Sequence, residues 1–234
     1  MRIYFDIETI PGQQPEAREL AAVSVKPPGT LKKAESIAAW WDTESPAAIE
    51  EAYRKQALDG AEGEIIAIAW ATDVSEVQCH LRKQGESEAD LLRDFFSAVQ
   101  HAMHEEGVTG SDGRVLPLDN PFLIAHNATF DLGFVWRRCL VHGVRPPFRF
   151  PTPNARQGND YGCTMVAWAG FGKTISLDRL CRALHITTPK GDMDGSKVFD
   201  TWLAGEYDRI AEYNRADVAA VREIWRRLNW EKQA

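Results

Sequence analysis

Ile3-Tyr4-Phe5-Asp6-Ile7-Glu8-Thr9 is a strand-forming stretch that carries two acids among apolar residues. A strand directs alternate side chains to opposite faces, so Asp6 and Glu8 share one face while Phe5 and Ile7 lie on the other. Neighbouring carboxylates in an apolar strand repel each other and lose hydration, and a bound cation would relieve both penalties. An Asp-x-Glu tripeptide is frequent by chance. Its place in a hydrophobic first strand nevertheless favours a metal site.

Hydrophobic periodicity along the rest of the chain predicts one α/β domain with a mixed sheet. We expect strands at 2–9, 64–72, 75–82 and 122–125, and helices at 31–40, 46–59, 87–105, 129–142, 176–184 and 206–229, with a short helix capped by Ser196. Breaker residues predict loops at 11–30, 107–120, 143–160 and 186–195, whereas 162–169 is compatible with either a helix or a strand.

Composition is typical of a globular protein: of 234 residues, 44% are hydrophobic and 26% are charged. The apolar runs are too short to span a bilayer, and Asp6 stands where a signal peptide needs apolar residues. A soluble, cytoplasmic protein with no membrane partner is the expectation. No two of the four cysteines have C-x-x-C spacing, so they are expected to be reduced core residues.

A third acid, Asp131, follows the predicted strand 122–125 in the segment His126-Asn127-Ala128-Thr129-Phe130-Asp131. Asn127 could cap the next helix, and Asp131 could simply favour the positive end of that helix. The alternative is that Asp131 belongs to an acidic site. The local sequence leaves both interpretations open.

The fourth acid, Asp217, lies in the apolar stripe of the last predicted helix. A carboxylate that faces the core needs a cation or hydrogen bonds. Tyr213 stands one turn earlier, so its hydroxyl can reach the same space. A purely structural Tyr-Asp hydrogen bond is the alternative.

If Asp6, Glu8, Asp131 and Asp217 converged, they would carry a charge of about −4, which two divalent cations would balance. Two cations held by carboxylates form the clamp that is used in phosphodiester hydrolysis. Ligands that are all oxygen atoms favour Mg²⁺ or Mn²⁺ over zinc.

Three motifs resemble those of the DEDD (DnaQ-like) 3'-5' exonuclease superfamily: Phe5-Asp6-Ile7-Glu8-Thr9, Asn127-x-x-Phe130-Asp131 and Tyr213-x-x-x-Asp217. The third has the tyrosine (DEDDy) form, because the histidine form would need His where Glu212 stands. The block 188–198 further resembles stand-alone exonucleases related to the proofreading domain of family B DNA polymerases. The resemblance covers most of 1–228 and is loosest over 11–62, which we expect to be a loop and helix insertion in a single domain, 1–234.

The resemblance implies a ribonuclease H-like fold, with a mixed five-stranded sheet flanked by helices, and 3'-5' hydrolysis that releases mononucleotides. It implies that Asp6, Glu8 and Asp217 hold the metal at the nucleophile, and that Asp6 and Asp131 hold the second metal. It also implies that Tyr213 orients the attacking water. The residues that it implies contact the terminal nucleotide are Asn127, Phe130 and the backbone near Thr9 and Ile10.

Two interpretations remain open for the block 188–198. It could be a turn at Asp194-Gly195 followed by a cap at Ser196. Alternatively, Lys190, Lys197 and glycine amides could hold a phosphate. Gly172-Lys173-Thr174 is not the end of a P-loop, because Ala167 stands where that motif requires glycine.

The net charge is −7, but residues 137–197 contain ten basic and four acidic residues. We therefore expect this segment to border the active site and to supply phosphate contacts. The candidates are Arg145, Arg149, Arg156, Lys173, Lys190 and Lys197.

The expected substrate is nucleic acid with a free 3' end, single-stranded DNA first, and a DNA polymerase or repair protein is a candidate partner. The alternatives are a 3'-5' exoribonuclease and a non-catalytic nucleic-acid-binding protein of the same fold. No residue in the sequence identifies a reader of the 2'-hydroxyl, which distinguishes RNA from DNA.

Overall fold

Two sheets are present in the computed structural model, which describes residues 1–105, 107–109, 115–116, 120–188 and 193–231. The strands are β1 (Arg2–Ile10), β2 (Glu64–Ala71), β3 (Gln78–Leu81), β4 (Val108–Thr109), β5 (Val115–Leu116), β6 (Phe122–Ala125) and β7 (Tyr161–Cys163). The main sheet has the order β3-β2-β1-β6-β7, and β4 pairs with β5 in a separate two-stranded sheet.

Helices occupy most of the chain between and after these strands. They are α1 (Ala17–Ser24), α2 (Ala34–Thr43), α3 (Ser45–Lys55), α4 (Glu88–Glu105), α5 (Ala128–His142), α6 (Thr164–Ala169), α7 (Leu177–Leu184), α8 (Val198–Leu203) and α9 (Tyr207–Leu228). Short 3-10 turns cover Gln56–Leu58 and Gly195–Lys197. Among the described residues, no helix combines the length and apolarity needed to cross a membrane.

Strand direction fixes one functional edge of the main sheet. β1 runs parallel to β6, with Tyr4 opposite Ile124, and β6 runs parallel to β7, with Ala125 opposite Cys163. β2 and β3 are antiparallel. The sheet is therefore mixed and five-stranded, as the sequence predicted. The carboxyl ends of β1, β6 and β7 meet at one edge, where α/β proteins commonly place their sites.

The two faces of β1 pack on different helices. Ile3 and Phe5 join a large buried cluster that includes Phe95 of α4, whose ring centroid lies 6.4 Å from that of Phe5. Tyr4 packs instead with Val218 and Val221 of α9. Since Asp6 and Glu8 follow Tyr4 at steps of two, strand alternation directs both acids to the α9 face.

Residues 9–64 form one compact unit, and residues 1–8 with 65–234 form another. Within the smaller unit, the amide nitrogen Nε2 of Gln56 donates to the Ala17 carbonyl at 2.8 Å, and the Tyr53 hydroxyl donates to the Gly12 carbonyl at 3.1 Å. Its limits lie within two residues of the expected insertion, 11–62. That all of 1–234 acts as one domain stays a prediction.

Three local expectations differ from the structure, and one that the sequence left open is resolved. Helix α1 lies inside the expected loop 11–30, and the paired strands β4 and β5 lie inside the expected loop 107–120. The ambiguous segment 162–169 contains both a strand and a helix, because β7 leads directly into α6. The cap before α8 is Asp194, whose side chain accepts hydrogen bonds from the Ser196 amide at 3.0 Å and hydroxyl at 2.5 Å.

The four cysteines are free, as expected from their spacing. Cys139, Cys163 and Cys181 are buried, and Cys79 is half-buried. Burial raises the pKa of Cys79 and Cys139 to about 12, and that of Cys181 to about 11.

Candidate active site

Three of the four predicted acids come together beside the centre and second half of β1. Asp6, Glu8 and Asp217 each offer a carboxylate oxygen, and these oxygens all lie within 4.8 Å of one another. Glu8 is 7% exposed and Asp217 is 6% exposed, whereas Asp6 keeps more contact with solvent. The cluster forms because β1 directs its acids to the face that α9 covers, and α9 returns Asp217 to the same place.

Asp131 approaches this cluster from the opposite face of the sheet. It lies in the first turn of α5, which begins just after the carboxyl end of β6. Its Oδ1 accepts a hydrogen bond from the backbone amide of Ile7 at 3.3 Å, and the side chain is 3% exposed. Asp131 is thus tied to the residue between Asp6 and Glu8, although it lies outside the tight group of three.

The acids raise one another's pKa. Burial raises the pKa of Asp6 well above its usual value, and the negative charges of Asp131, Asp217 and Glu8 raise it further. Burial and the charges of Asp217 and Asp131 likewise raise the pKa of Glu8. Burial raises the pKa of Asp131 to about 8, despite hydrogen bonds from its own backbone and Ile7 that act in the opposite direction.

This electrostatic strain fits a cation-binding role. Buried carboxylates that repel each other are expensive unless a cation or donor neutralises them. The donor set consists of oxygen atoms, which suits hard ions such as Mg²⁺ and Mn²⁺. Asp6, Glu8 and Asp217 are near enough to share one ion, and Asp6 and Asp131 flank the same strand.

Tyr213 lies one turn before Asp217 on α9 and is half-buried. Burial, the charges of Asp217, Glu8 and Asp6, and a hydrogen bond with Asp217 all raise the pKa of Tyr213 far above its usual value. The hydroxyl therefore remains a neutral donor at physiological pH. In this state it can hold a hydrogen-bonding partner beside the carboxylates but cannot act as a base.

Asn214 is a site residue that the sequence reasoning missed. It is fully buried, and its Nδ2 donates to Oδ2 of Asp6 at 2.7 Å. The thiol of Cys79 on β3 lies 3.7 Å from its Oδ1. The signal was present, because Asn214 precedes Asp217 by three residues and three-residue steps share a helix face.

The predicted nucleotide contacts occupy different environments. Asn127 is exposed at the carboxyl end of β6 and has a left-handed backbone with φ of 57°. Asn127 occupies the N-cap position of α5, as one interpretation predicted, but its side chain forms no cap hydrogen bond there. Phe130 is half-buried, with its ring centroid 5.6 Å from that of Phe134. Their contact with nucleotide stays a prediction.

Thr9 and Ile10 belong to the smaller unit, 9–64. The Thr9 hydroxyl donates to the Ala57 carbonyl at 2.6 Å, and the Ile10 side chain is fully buried. A role in substrate binding would therefore fall to their backbone, as the resemblance implied.

The block 188–198 is only partly described. Lys190 lies outside the described residues. Lys197 forms an ion pair with Asp194 at 3.4 Å, in the turn that Asp194 caps. The turn is thus present, but its capping side chain is Asp194 and not Ser196, and a phosphate contact by either lysine stays a prediction.

The first part of the basic segment does not border the carboxylates, contrary to the expectation. Helix α5 starts at the carboxyl edge of the sheet and carries the chain about 22 Å away from it over 15 residues. Residues 143–160 then lead into the amino end of β7. Arg149 confirms this position, because its amide donates to the side chain of Asn120, just before β6, at 2.9 Å. The residues displaced from the site are Arg145, Arg149 and Arg156.

The fold defines a class of protein. It is ribonuclease H-like, and it matches the solved structure of a family B DNA polymerase from the hyperthermophilic archaeon Pyrobaculum calidifontis with a TM-score of 0.55 at 16% identity. That match covers 97% of this chain but only 24% of the polymerase chain. No curated protein sequence matches this chain.

The family is defined by a sequence model that matches residues 58–232. Its description is a predicted 3'-5' exonuclease related to the exonuclease domain of PolB. This chain belongs to that family, which confirms the wider exonuclease resemblance drawn from its motifs.

Proposed function

We propose that this chain is a metal-dependent 3'-5' exonuclease of the tyrosine (DEDDy) form, acting on single-stranded DNA and releasing nucleoside monophosphates. One observation carries the proposal. Carboxylate oxygens of Asp6, Glu8 and Asp217 lie within 4.8 Å of one another beside β1, in a chain of the exonuclease family. Asp131 is joined to that strand by the Ile7 amide.

The roles of the acids follow from their positions. Asp6, Glu8 and Asp217 would hold one divalent cation, and Asp6 with Asp131 would hold a second. Two Mg²⁺ or Mn²⁺ ions bound there would lower the pKa of water and stabilise the charge on the attacking and leaving oxygens. The repulsion that raises the pKa of Asp6 and Glu8 favours exchange of bound protons for cations.

The hydroxyl of Tyr213 would position the attacking water, because it is a neutral donor beside Asp217. Asn127, Phe130 and the backbone of Thr9 and Ile10 would hold the terminal nucleotide. Phosphates further along the strand would meet basic residues, with Lys173, Lys190 and Lys197 as candidates. A DNA polymerase or repair protein remains the candidate partner.

The decisive experiment is a digestion panel on end-labelled single- and double-stranded DNA and RNA, with Mg²⁺, Mn²⁺ or chelator. Mononucleotides should be released from the 3' end only with a metal. Replacing Asp6, Glu8, Asp131 or Asp217 by its amide should lower the rate on the order of a thousandfold, because several kcal/mol of transition-state stabilisation are lost. Glu212→Gln, on the exposed face of α9, is the matched control.

Polarity is tested in the same panel. A 3'-phosphate or a closed single-stranded circle should resist digestion, since the proposed enzyme starts at a free 3'-hydroxyl. Cutting of the circle would indicate an endonuclease, and full activity in chelator would exclude the metal mechanism. Preferred digestion of RNA would replace the DNA assignment but leave the exonuclease assignment intact.

A further inference from the structure

Two large aromatic side chains stand exposed near the end of α6 and just after it, in the segment 164–175. Phe171 is 78% exposed and Trp168 is 45% exposed. Phe171 lies between Gly170 and Gly172, whose φ angles of +82° and +73° are ones that L side chains rarely adopt. Apart from the glycine itself and its two chain neighbours, no atom described in the structure lies within 4 Å of where a Cβ on either glycine would be. The chain therefore uses two special backbone conformations at a turn that presents a phenyl ring to solvent.

This aromatic segment is fixed at the same edge of the sheet as the carboxylates. α6 begins immediately after the carboxyl end of β7, and β7 is parallel to β6. Tyr4 of β1 lies opposite Ile124 of β6. Continuing that register by two residues brings His126, just after β6, level with Asp6 on β1. Neighbouring strands lie about 5 Å apart, so two such steps separate β1 from β7.

His126 ties the segment to this edge at two points. Its Nδ1 lies 2.8 Å from the Thr164 hydroxyl, and its Nε2 lies 2.8 Å from the Ile175 carbonyl. Because a carbonyl only accepts, Nε2 carries a proton and donates to Ile175. Both ends of the segment 164–175 are thus anchored beside Asn127, the residue that follows His126.

The charge of this segment suits a polyanion. Between Tyr161 and Leu177 the chain has no Asp or Glu, and its one charged residue is Lys173, which is exposed. Scattered exposed apolar residues are ordinary on a protein surface. A Trp and a Phe three positions apart, with a lysine two positions further on, at the edge that carries the acidic site, form a more specific arrangement. Aromatic rings combined with cationic side chains are how proteins hold unpaired nucleic acid.

We propose that Trp168 and Phe171 form a base-stacking platform for the single strand whose 3' end occupies the carboxylate site, with Lys173 contacting its backbone. This proposal rests on the proposed exonuclease function and specifies its substrate as one with unpaired bases near the 3' end. The platform holds nucleotides upstream of the terminal one, so it acts on substrate binding and leaves the chemical step unchanged.

The test compares a long and a minimal substrate. A single-stranded oligodeoxynucleotide can reach the platform, whereas the p-nitrophenyl ester of thymidine 5'-monophosphate occupies the carboxylate site alone. In Trp168→Ala and in Phe171→Ala, KM for the oligonucleotide should rise about tenfold per ring, with kcat unchanged. Hydrolysis of the ester should be unaffected. Trp168→Phe and Phe171→Trp should retain binding, and Trp230→Ala, at a 94% exposed ring, is the matched control.

An abasic scan locates the contact. One base is removed at successive positions from the 3' end, and binding is measured by fluorescence anisotropy in Ca²⁺. The parent should lose affinity at particular positions, and the double alanine variant should be insensitive at those same positions. Equal KM values and identical abasic profiles in parent and double variant would overturn the platform.

Failure of the platform and failure of the proposed function give different results. If the parent hydrolyses neither the oligonucleotide nor the ester, the exonuclease proposal fails, and the anisotropy scan still decides whether the rings bind unpaired bases. If both substrates are hydrolysed but the double variant matches the parent, the platform alone is wrong. Running the scan on RNA in parallel shows whether the rings discriminate the sugar.

Discussion

Asn214 holds one carboxylate oxygen of Asp6 by a 2.7 Å hydrogen bond, and this bond orients the whole carboxylate group. We predict that Asn214→Ala lowers the apparent affinity for Mg²⁺ more than it lowers the maximal rate. Residues that orient metal ligands typically change metal affinity by roughly 10- to 100-fold. The measurement is the Mg²⁺ titration of initial rate. Asn229→Ala, at an exposed helix end, provides the control. Equal titration curves for Asn214→Ala and the parent would show that Asn214 only packs.

The hydroxyl of Tyr213 is separable from its ring. Tyr213→Phe keeps the ring on α9 and removes the donor beside Asp217. We expect kcat to fall by roughly a hundredfold or more, with little change in KM or thermal stability, since the group acts on the attacking water. Single-turnover kinetics at saturating Mg²⁺ measure this. A normal rate would mean that the hydroxyl only hydrogen bonds to Asp217.

At the scale of elements, Glu88 joins β2, α4 and α5. Its carboxylate accepts two hydrogen bonds from Arg138 at 2.9 and 2.7 Å, one from the Ile65 amide at 2.8 Å, and lies 2.8 Å from His142. The side chains of Glu88 and Arg138 are 2% and 7% exposed. We predict that Glu88→Gln lowers the free energy of unfolding by about 3 kcal/mol, because it leaves a buried guanidinium without its partner charge.

The same pair should show a defined pH dependence. Burial raises the pKa of Glu88, but hydrogen bonds from His142 and Arg138 outweigh this and leave it lowered from 4.5. A carboxyl whose pKa is lower in the folded state stabilises the fold fully above its unfolded value and loses that effect as pH falls through the folded value. The difference in the free energy of unfolding between the parent and Glu88→Gln should therefore be largest near pH 7 and become smaller below pH 4.5. Urea unfolding at several pH values measures it, with Asp90→Asn, from an exposed pair, as control. A difference that stays constant with pH would contradict this account.

The sequence predicted elements well where local signals and burial agree. β6 was expected at its observed limits, and Ser176 does cap α7, where it accepts a hydrogen bond from the Arg179 amide at 3.3 Å. α1 was missed, because Pro11-Gly12 and Pro27-Pro28-Gly29 dominate its surroundings and its N-terminus has no side-chain cap. Its helical state depends on packing within the unit 9–64, which local patterns do not report.

The sequence predicted which acids form the candidate site, but it did not predict which basic residues lie near them. The spacing of Asp6 and Glu8 and the burial of Asp217 both follow from helix and strand periods, which the sequence displays. The displacement of Arg145 and Arg149 follows from the direction of β7, and strand direction is a property of the whole sheet. Arg145 and Arg149 follow α5 in the sequence, and the length of that helix separates them from Asp131 in its first turn.

For the molecule as a whole, the acidic site opposes stability. Asp6, Glu8 and Asp131 bind protons more tightly in the folded state, because their pKa values are raised, that of Asp131 to about 8. The metal-free protein should therefore lose stability as pH rises from the ordinary carboxyl range towards pH 8. Mg²⁺ should restore it, since an ion that binds only the folded state stabilises that state.

Asp217→Asn tests this balance. The amide removes a negative charge that raises the pKa of its neighbours, so the variant should melt at a higher temperature than the parent in chelator while losing activity. For a protein of this size, a gain of 1 kcal/mol corresponds to about 2–4 °C. Differential scanning calorimetry with chelator or Mg²⁺ measures the effect, with Glu212→Gln as control. A parent that is more stable than Asp217→Asn in chelator would contradict the repulsion that the geometry indicates.

Three of the four cysteines are buried and Cys79 is half-buried, so the native chain should react slowly with thiol-specific reagents. The reactive species is the thiolate, and raised pKa values at Cys79, Cys139 and Cys181 keep its population very small at neutral pH, while Cys163 is 1% exposed. A cysteine introduced by Lys173→Cys would consequently be the one site that a maleimide dye labels quickly. A dye there would signal the arrival of a strand at the aromatic segment, without removal of any natural cysteine.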